Sequence, residues 1–194
     1  IMRNLSNTLG SQGKYAEAAA LYREVLAATP AGKQEHGNTL ATKANLAGVV
    51  SKMGDHAEAE ALLRGVQATH ERLHGPDDAR TLQAALVLGN ALLRQGKHAE
   101  AEAVYRPALA AQQRVLGPGH PKTLHTMGNL ALSLYEQGRY AEAEPLFRSA
   151  LEGQRCALGP DHAETRMSAA ALAHTLHALG KHAEAEALVV QADI

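Results

Sequence analysis

Apolar residues recur in pairs four apart along this chain, and the pairs recur at a fixed interval. Leu5/Leu9, Leu46/Val50, Leu88/Leu92, Leu130/Leu134 and Leu172/Leu176 each place two apolar side chains on one face of a helix. A glycine follows each pair, at Gly13, Gly54, Gly96, Gly138 and Gly180. Glycine tolerates the left-handed backbone that a helix stop often needs, so each apolar stripe should end there. A second stripe then begins. In the clearest copy it comprises Ala143, Phe147, Ala150 and Leu151, in a helix running from near Tyr140 to about Leu158. Gly159-Pro160 stops it. Glu142 falls in the first turn of this second helix, where a negative charge suits the helix dipole. The pattern therefore predicts a unit of two helices: helix A, roughly 121–137 in the clearest copy, and helix B, roughly 140–158.

The unit repeats. GKYAEA, GDHAEA, GKHAEA, GRYAEA and GKHAEA begin at the five glycines, spaced 41, 42, 42 and 42 residues apart. Thr39, Thr81, Thr123 and Thr165 keep a 42-residue period as a second marker. Each threonine lies just after a loop that leads into the next helix A. His36, Asp78, His120 and His162 precede those helices. Asp78 is a good N-cap and the histidines weaker ones, while Pro121 suits a first helical position. One array over 1–194 is expected, in units of approximately 1–32, 33–75, 76–117, 118–159 and 160–194. Ile1 aligns with Thr42, Ala84, Thr126 and Ser168, so the first helix A should lack about a turn and a half. The last helix B, 182–194, should be shorter than its predecessors. Neither end shows a polar capping helix, which predicts a piece of a larger protein, or self-association through uncapped ends.

These residues resemble the tetratricopeptide repeat. Ala18/Tyr22, Ala101/Tyr105 and Ala143/Phe147 match its Ala-x-x-x-aromatic pair, behind the Gly-x-aromatic-Ala turn. The longer unit, the run from Asn129 to Leu151 and the Leu158–His162 loop are similar to the kinesin light chain type. No heptad-patterned segment of the kind that binds a motor heavy chain is present. The resemblance implies an all-α, right-handed α-α superhelix of about five helix pairs, and a protein–protein interaction scaffold that holds a peptide or partner protein. In such arrays the A helices line a concave groove. Counting back from each glycine puts Asn4, Asn45 and Asn129 nine residues before it. Asn7, Asn90 and His174 fall six before it, Tyr135 three, and Lys52 and Arg94 two. Asparagine is a poor helix-interior residue, so its recurrence on one face wants a cause. Its amide can hydrogen-bond both the C=O and the N–H of an extended backbone. It can equally bond neighbouring helices or water.

Composition narrows the remaining classes. The 194 residues are 45% hydrophobic and 20% charged, with a net charge of −1. Lys and Arg are scattered, so neither nucleic acid nor an acidic membrane surface is an expected partner. No run of 18 apolar residues could span a bilayer. The single cysteine, Cys156, fits a reducing, cytoplasmic setting and no intrachain disulfide framework. Aromatics make up 3% of the chain, so its helices should pack through Ala and Leu contacts.

Eleven histidines raise a metal question. His56, His98 and His182 are repeat residues a full unit apart. His174/His177 and His70/His74 are helix-face pairs without a third ligand in sequence, so no metal is expected. Glu142 and Glu144 are two apart on a helix and point in different directions, unlike a catalytic dyad. No phosphate loop or dinucleotide fingerprint occurs, so no cofactor is expected and the chain is not expected to be an enzyme. Two other readings stay open: a regulatory arm of a larger signalling ATPase, and a structural subunit of a large assembly.

Overall fold

A computed structural model describes residues 2–192. Ile1 and 193–194, and with them the expected end of the last helix at Ile194, lie outside the described residues. The A helices are α1 (Met2–Ser11), α3 (Gly37–Lys52), α5 (Ala79–Arg94), α7 (Pro121–Glu136) and α9 (Ala163–Ala178). The B helices are α2 (Tyr15–Ala27), α4 (His56–His74), α6 (His98–Val115), α8 (Tyr140–Leu158) and α10 (His182–Ala192). A 3-10 turn, Ala31–Lys33, joins α2 to α3, and no strand forms among the described residues. The chain divides into two compact units, Ile1–Ala91 and Leu92–Ile194, with the division inside α5.

The stops and starts have local causes. All five repeat glycines have positive φ, from 71° to 90°. That geometry lets the following amide reach back to close each A helix. Lys14 N–H donates to the Leu9 carbonyl at 3.0 Å, and Arg139 N–H to the Leu134 carbonyl at 2.9 Å. Where the next A helix begins, the histidines cap it. Nδ1 of His36, His120 and His162 accepts the amides of Asn38, Lys122 and Glu164 at 3.4, 3.2 and 3.3 Å. Asp78 does the same for Arg80 at 2.9 Å. Thr39 and Thr81 donate their hydroxyls to the carbonyls of Lys33 and Gly75, pinning loop to helix. Thr39 and Thr81 are thus loop clasps, whereas the buried hydroxyls of Thr123 and Thr165 have no hydrogen-bond partner among the described residues.

In the first unit α1 packs on α2, α2 on α3 and α3 on α4. Leu40, Val66 and Ala84 form a buried cluster from α3, α4 and α5. In the second unit α6 to α10 each pack on the next helix. Both predicted stripes are core. Leu46/Val50, Leu88/Leu92, Leu130/Leu134 and Leu172/Leu176 are buried, as are Ala18/Tyr22, Ala101/Tyr105 and Ala143/Phe147. Each fully buried large side chain contributes about 1.5–3 kcal/mol. Leu5 departs from the pattern. It is 50% exposed, because no helix packs on the outer side of α1 among the described residues. The last described B helix, α10, has 11 residues against 19 in α8.

Candidate binding faces on the A helices

The expected groove residues all reach the surface of the A helices. Asn4, Asn7, Asn45, Lys52, Arg94 and His174 are exposed, and Asn90, Asn129 and Tyr135 are half-buried. In the first unit, α2 places the buried Tyr22 between α1 and α3. The Tyr22 hydroxyl donates to Asn7 Oδ1. The same oxygen accepts Asn45 Nδ2 at 3.1 Å. One carbonyl oxygen therefore takes two donors. Asn7 Nδ2 and Asn45 Oδ1 have no partner among the described residues, and both side chains are exposed.

The second unit repeats this chemistry. Tyr105, in α6 and fully buried, shares a hydrogen bond with Asn129 of α7. Burial pushes the Tyr105 phenol well above its ordinary value, and the Asn129 bond opposes that rise. The phenol thus stays protonated at any ordinary pH. Buried hydroxyls need partners, and the amides of the A helices supply them.

The sequence carries the same logic. Tyr22 has Asn7 six before its own glycine and Asn45 nine before the next. Tyr105 has Asn90 and Asn129 at those positions. Where the B-helix residue lacks a hydroxyl, the asparagines vanish. Leu63 is matched by Gly48 and Val87, and Phe147 by Leu132 and Ala171. The asparagine recurrence thus has a cause inside the fold. Tyr22 and Tyr105 lie buried beneath the face and hold its amides, and the co-occurrence of Tyr with Asn was the signal that locates them.

The remaining expected residues are not brought into one cluster. Tyr135 packs against Tyr140 across the A–B turn, ring centroids 5.2 Å apart and planes tilted by 58°. The equivalent positions pair in other repeats. Ser51 Oγ lies 3.4 Å from His56 Nδ1, and the Nδ1 atoms of His177 and His182 are 3.0 Å apart. No group of three His, Cys, Asp or Glu residues converges as a metal site among the described residues. Cys156 is an exposed thiol.

The acidic pair of the AEAE turn is engaged in ion bridges. Glu142 pairs with Arg139 at 2.7 Å. Glu144, 9% exposed, takes Lys181 Nζ at 2.8 Å and Arg148 Nη2 at 2.8 Å. Glu102 occupies the same position one repeat earlier and binds Arg139 Nη1 at 2.6 Å. The Lys181 hydrogen bond, aided by Arg148 and opposed by burial, holds the Glu144 carboxyl below the usual carboxylate range. A catalytic acid needs the opposite shift. Because the folded pKa is depressed, this stabilisation is present above the unfolded value and is lost as pH falls through the folded one. Glu144→Gln should cost about 1–2 kcal/mol at neutral pH. That deficit should shrink below about pH 4, where the unfolded carboxyl protonates. Urea midpoints of both chains at neutral and acid pH check this. A deficit that is the same at both contradicts it.

Tetratricopeptide repeat family models match residues 38–111, 84–155 and 129–192, and a second such model matches residues 1–29. The chain belongs to the tetratricopeptide repeat family. The solved structures agree with this tetratricopeptide assignment. A Podosopora anserina protein described as a kinesin light chain with nearly identical repeats is 26% identical, with TM-score 0.84, covering 99% of this chain and 91% of that one. BtubC of P. vanneervenii is 19% identical, with TM-score 0.83, covering 99% of this chain and 77% of that one. The apo form of RapI shares the fold at 10% identity, with TM-score 0.82, covering 98% of this chain and 51% of that one. No curated protein matches the sequence. The all-α class and kinesin light chain-like tetratricopeptide repeats read from the sequence are the ones found. No helix among the described residues is long and apolar enough to cross a membrane.

Proposed function

We infer that this tetratricopeptide chain is a protein-interaction module that holds an extended segment of a partner protein on the exposed faces of its A helices. The observation that carries the reading is the Asn7–Asn45 pair. Tyr22 fixes one end of it, which lowers the entropy lost when a ligand binds. The pair offers a free donor, Asn7 Nδ2, beside a free acceptor, Asn45 Oδ1. An extended backbone presents the complementary C=O and N–H. Asn129, held by Tyr105, is the corresponding group of the second unit. Lys52 and Arg94 are exposed cations on these faces and favour acidic residues in the ligand. The chain binds rather than catalyses, since its acidic pairs are tied into ion bridges and its cysteine stands alone. The reading places the module in a reducing compartment, with no role for nucleic acid.

Panning a displayed random-peptide library against the chain tests this. Selected peptides should bind in the micromolar range by fluorescence anisotropy. The double substitution Asn7→Ala, Asn45→Ala should weaken first-unit binders about tenfold or more, the equivalent of losing one or two backbone hydrogen bonds. Selected peptides whose affinity ignores Asn7, Asn45 and Asn129 alike would defeat the reading.

A further inference from the structure

The fourth helix pair breaks the Tyr–Asn rule, and the break opens a cavity. Phe147 replaces the tyrosine, and Leu132 and Ala171 replace the amides. Between α7, α8 and α9 lies a cavity of about 280 Å³, wholly within the second unit. Its walls come from three stripes: His125, Gly128, Asn129 and Leu132 on α7; Phe147 and Gln154 on α8; Glu164, Met167, Ser168 and Ala171 on α9.

The cavity has an apolar end and a polar end. Neighbouring helices joined by short loops run in opposite directions. Phe147 on α8 therefore lies level with Leu132 and Ala171, and Gln154 with His125 and Glu164. At the first end only carbon meets a ligand. At the second, Gln154 is 4% exposed and its Oε1 has no hydrogen-bond partner. A buried amide oxygen without a donor is costly, and a bound group that supplies one recovers the cost. The Glu164 carboxylate also has no partner among the described residues, and it is the one charged side chain on the wall. Met167, 71% exposed, stands at the mouth as an unpaired apolar side chain.

Asn129 and Ser168 lie between the two ends, so the wall fits an occupant that is alkyl at the Phe147 end, donor-only at its tip and positively charged. An arginine side chain has that profile: three methylenes, then a planar group with five N–H donors and no acceptor. We propose that this cavity receives an arginine side chain of the bound partner segment, with the stem against Phe147, Leu132 and Met167 and the guanidinium on Gln154 Oε1 and Glu164. This deepens the interaction reading and rests on it. It adds a charge preference opposite to that of Lys52 and Arg94, so the ligand carries basic as well as acidic residues.

The test uses the whole chain with ¹³C-methyl methionines. The Met167 methyl is followed while Ac-Ala-Arg-Ala-NH2 is added, with Ac-Ala-Nle-Ala-NH2 as the uncharged control. The arginine peptide should move the Met167 signal saturably, with half-saturation in the millimolar range expected of a single anchor. The norleucine peptide should bind about fivefold more weakly or worse. Glu164→Gln should weaken the arginine peptide and leave norleucine unchanged. Gly128→Leu puts a side chain into the cavity from a position where a Cβ meets no atom within 4 Å, and should abolish both titrations while the chain still melts cooperatively. No saturable movement with the arginine peptide, equal affinity for norleucine, or no effect of Glu164→Gln would overturn the proposal. A Met167 signal that shifts with chain concentration alone would also overturn it, because the occupant is then a second copy. Asn7 and Asn45 take no part in these titrations. Failure here with intact, Asn7- and Asn45-dependent binding of selected peptides sinks this inference alone, whereas selected peptides that ignore Asn7, Asn45 and Asn129 sink the broader reading and, with it, a bound partner segment as the source of the arginine.

Discussion

Replacing Tyr105 with alanine will destabilise the Leu92–Ile194 unit by about 3–5 kcal/mol, the range for truncating a fully buried aromatic. Two losses combine: the cavity left by the ring, and the hydrogen bond to Asn129. Tyr105→Phe separates them. It keeps the ring and should cost only about 1 kcal/mol, the net worth of one neutral hydrogen bond. Asn129→Ala should rescue part of that cost in the phenylalanine background, because Ala171 holds the equivalent position beside Phe147 in the next repeat. Denaturant unfolding of the four chains gives the coupling directly. A Tyr105→Phe cost as large as that of alanine would mean that the hydroxyl, not the ring, holds this site.

Gly153→Leu is expected to cost about 3 kcal/mol, toward the upper end for overpacking a closed core. A Cβ at Gly153 would already fall inside contact distance of both δ-methyls of Leu124, and Leu124 is itself buried. Gly153→Ala should cost less, since better helix propensity offsets about 1 kcal/mol of the clash. Trimming Leu124 to alanine should relieve the leucine variant. Thermal melts of these chains decide the matter, and an unshifted Gly153→Leu melt would show that α7 and α8 separate freely.

The architecture was legible because period, stop and stripe point the same way. Gly138, the Leu130/Leu134 pair and Phe147 each predict their own conformation and burial, and the packing obeys them. The caps were half legible. Asp78 reads as an N-cap from residue type alone, while His36, His120 and His162 do so only once Nδ1 is seen to accept an amide. Leu5 fits the stripe yet stays exposed, because a stripe specifies a face and not what covers it. The asparagines were visible but their cause was not. Asn7 and Asn45 lie on different helices, and Tyr22 joins them from a third. Periodicity along one helix cannot reveal a bond between helices, although comparing Tyr22 and Tyr105 with Leu63 and Phe147 could have suggested it. The cavity over Phe147 is the same lesson inverted, since losing three polar groups leaves room that no single residue announces.

On the proposed function, an extended ligand backbone docks on amide groups held in place by buried tyrosines. Side-chain amide NMR of ¹⁵N-labelled chain, recorded with and without a peptide selected for binding, tests it most directly. The Asn7 and Asn45 NH2 signals, or the Asn129 signal for a second-unit binder, should shift at saturation, and Tyr22→Phe or Tyr105→Phe should weaken the same peptide. Saturable binding that leaves all three amide signals in place and moves the backbone amides of the B-helix residues Glu102, Glu144 and Arg148 would contradict it.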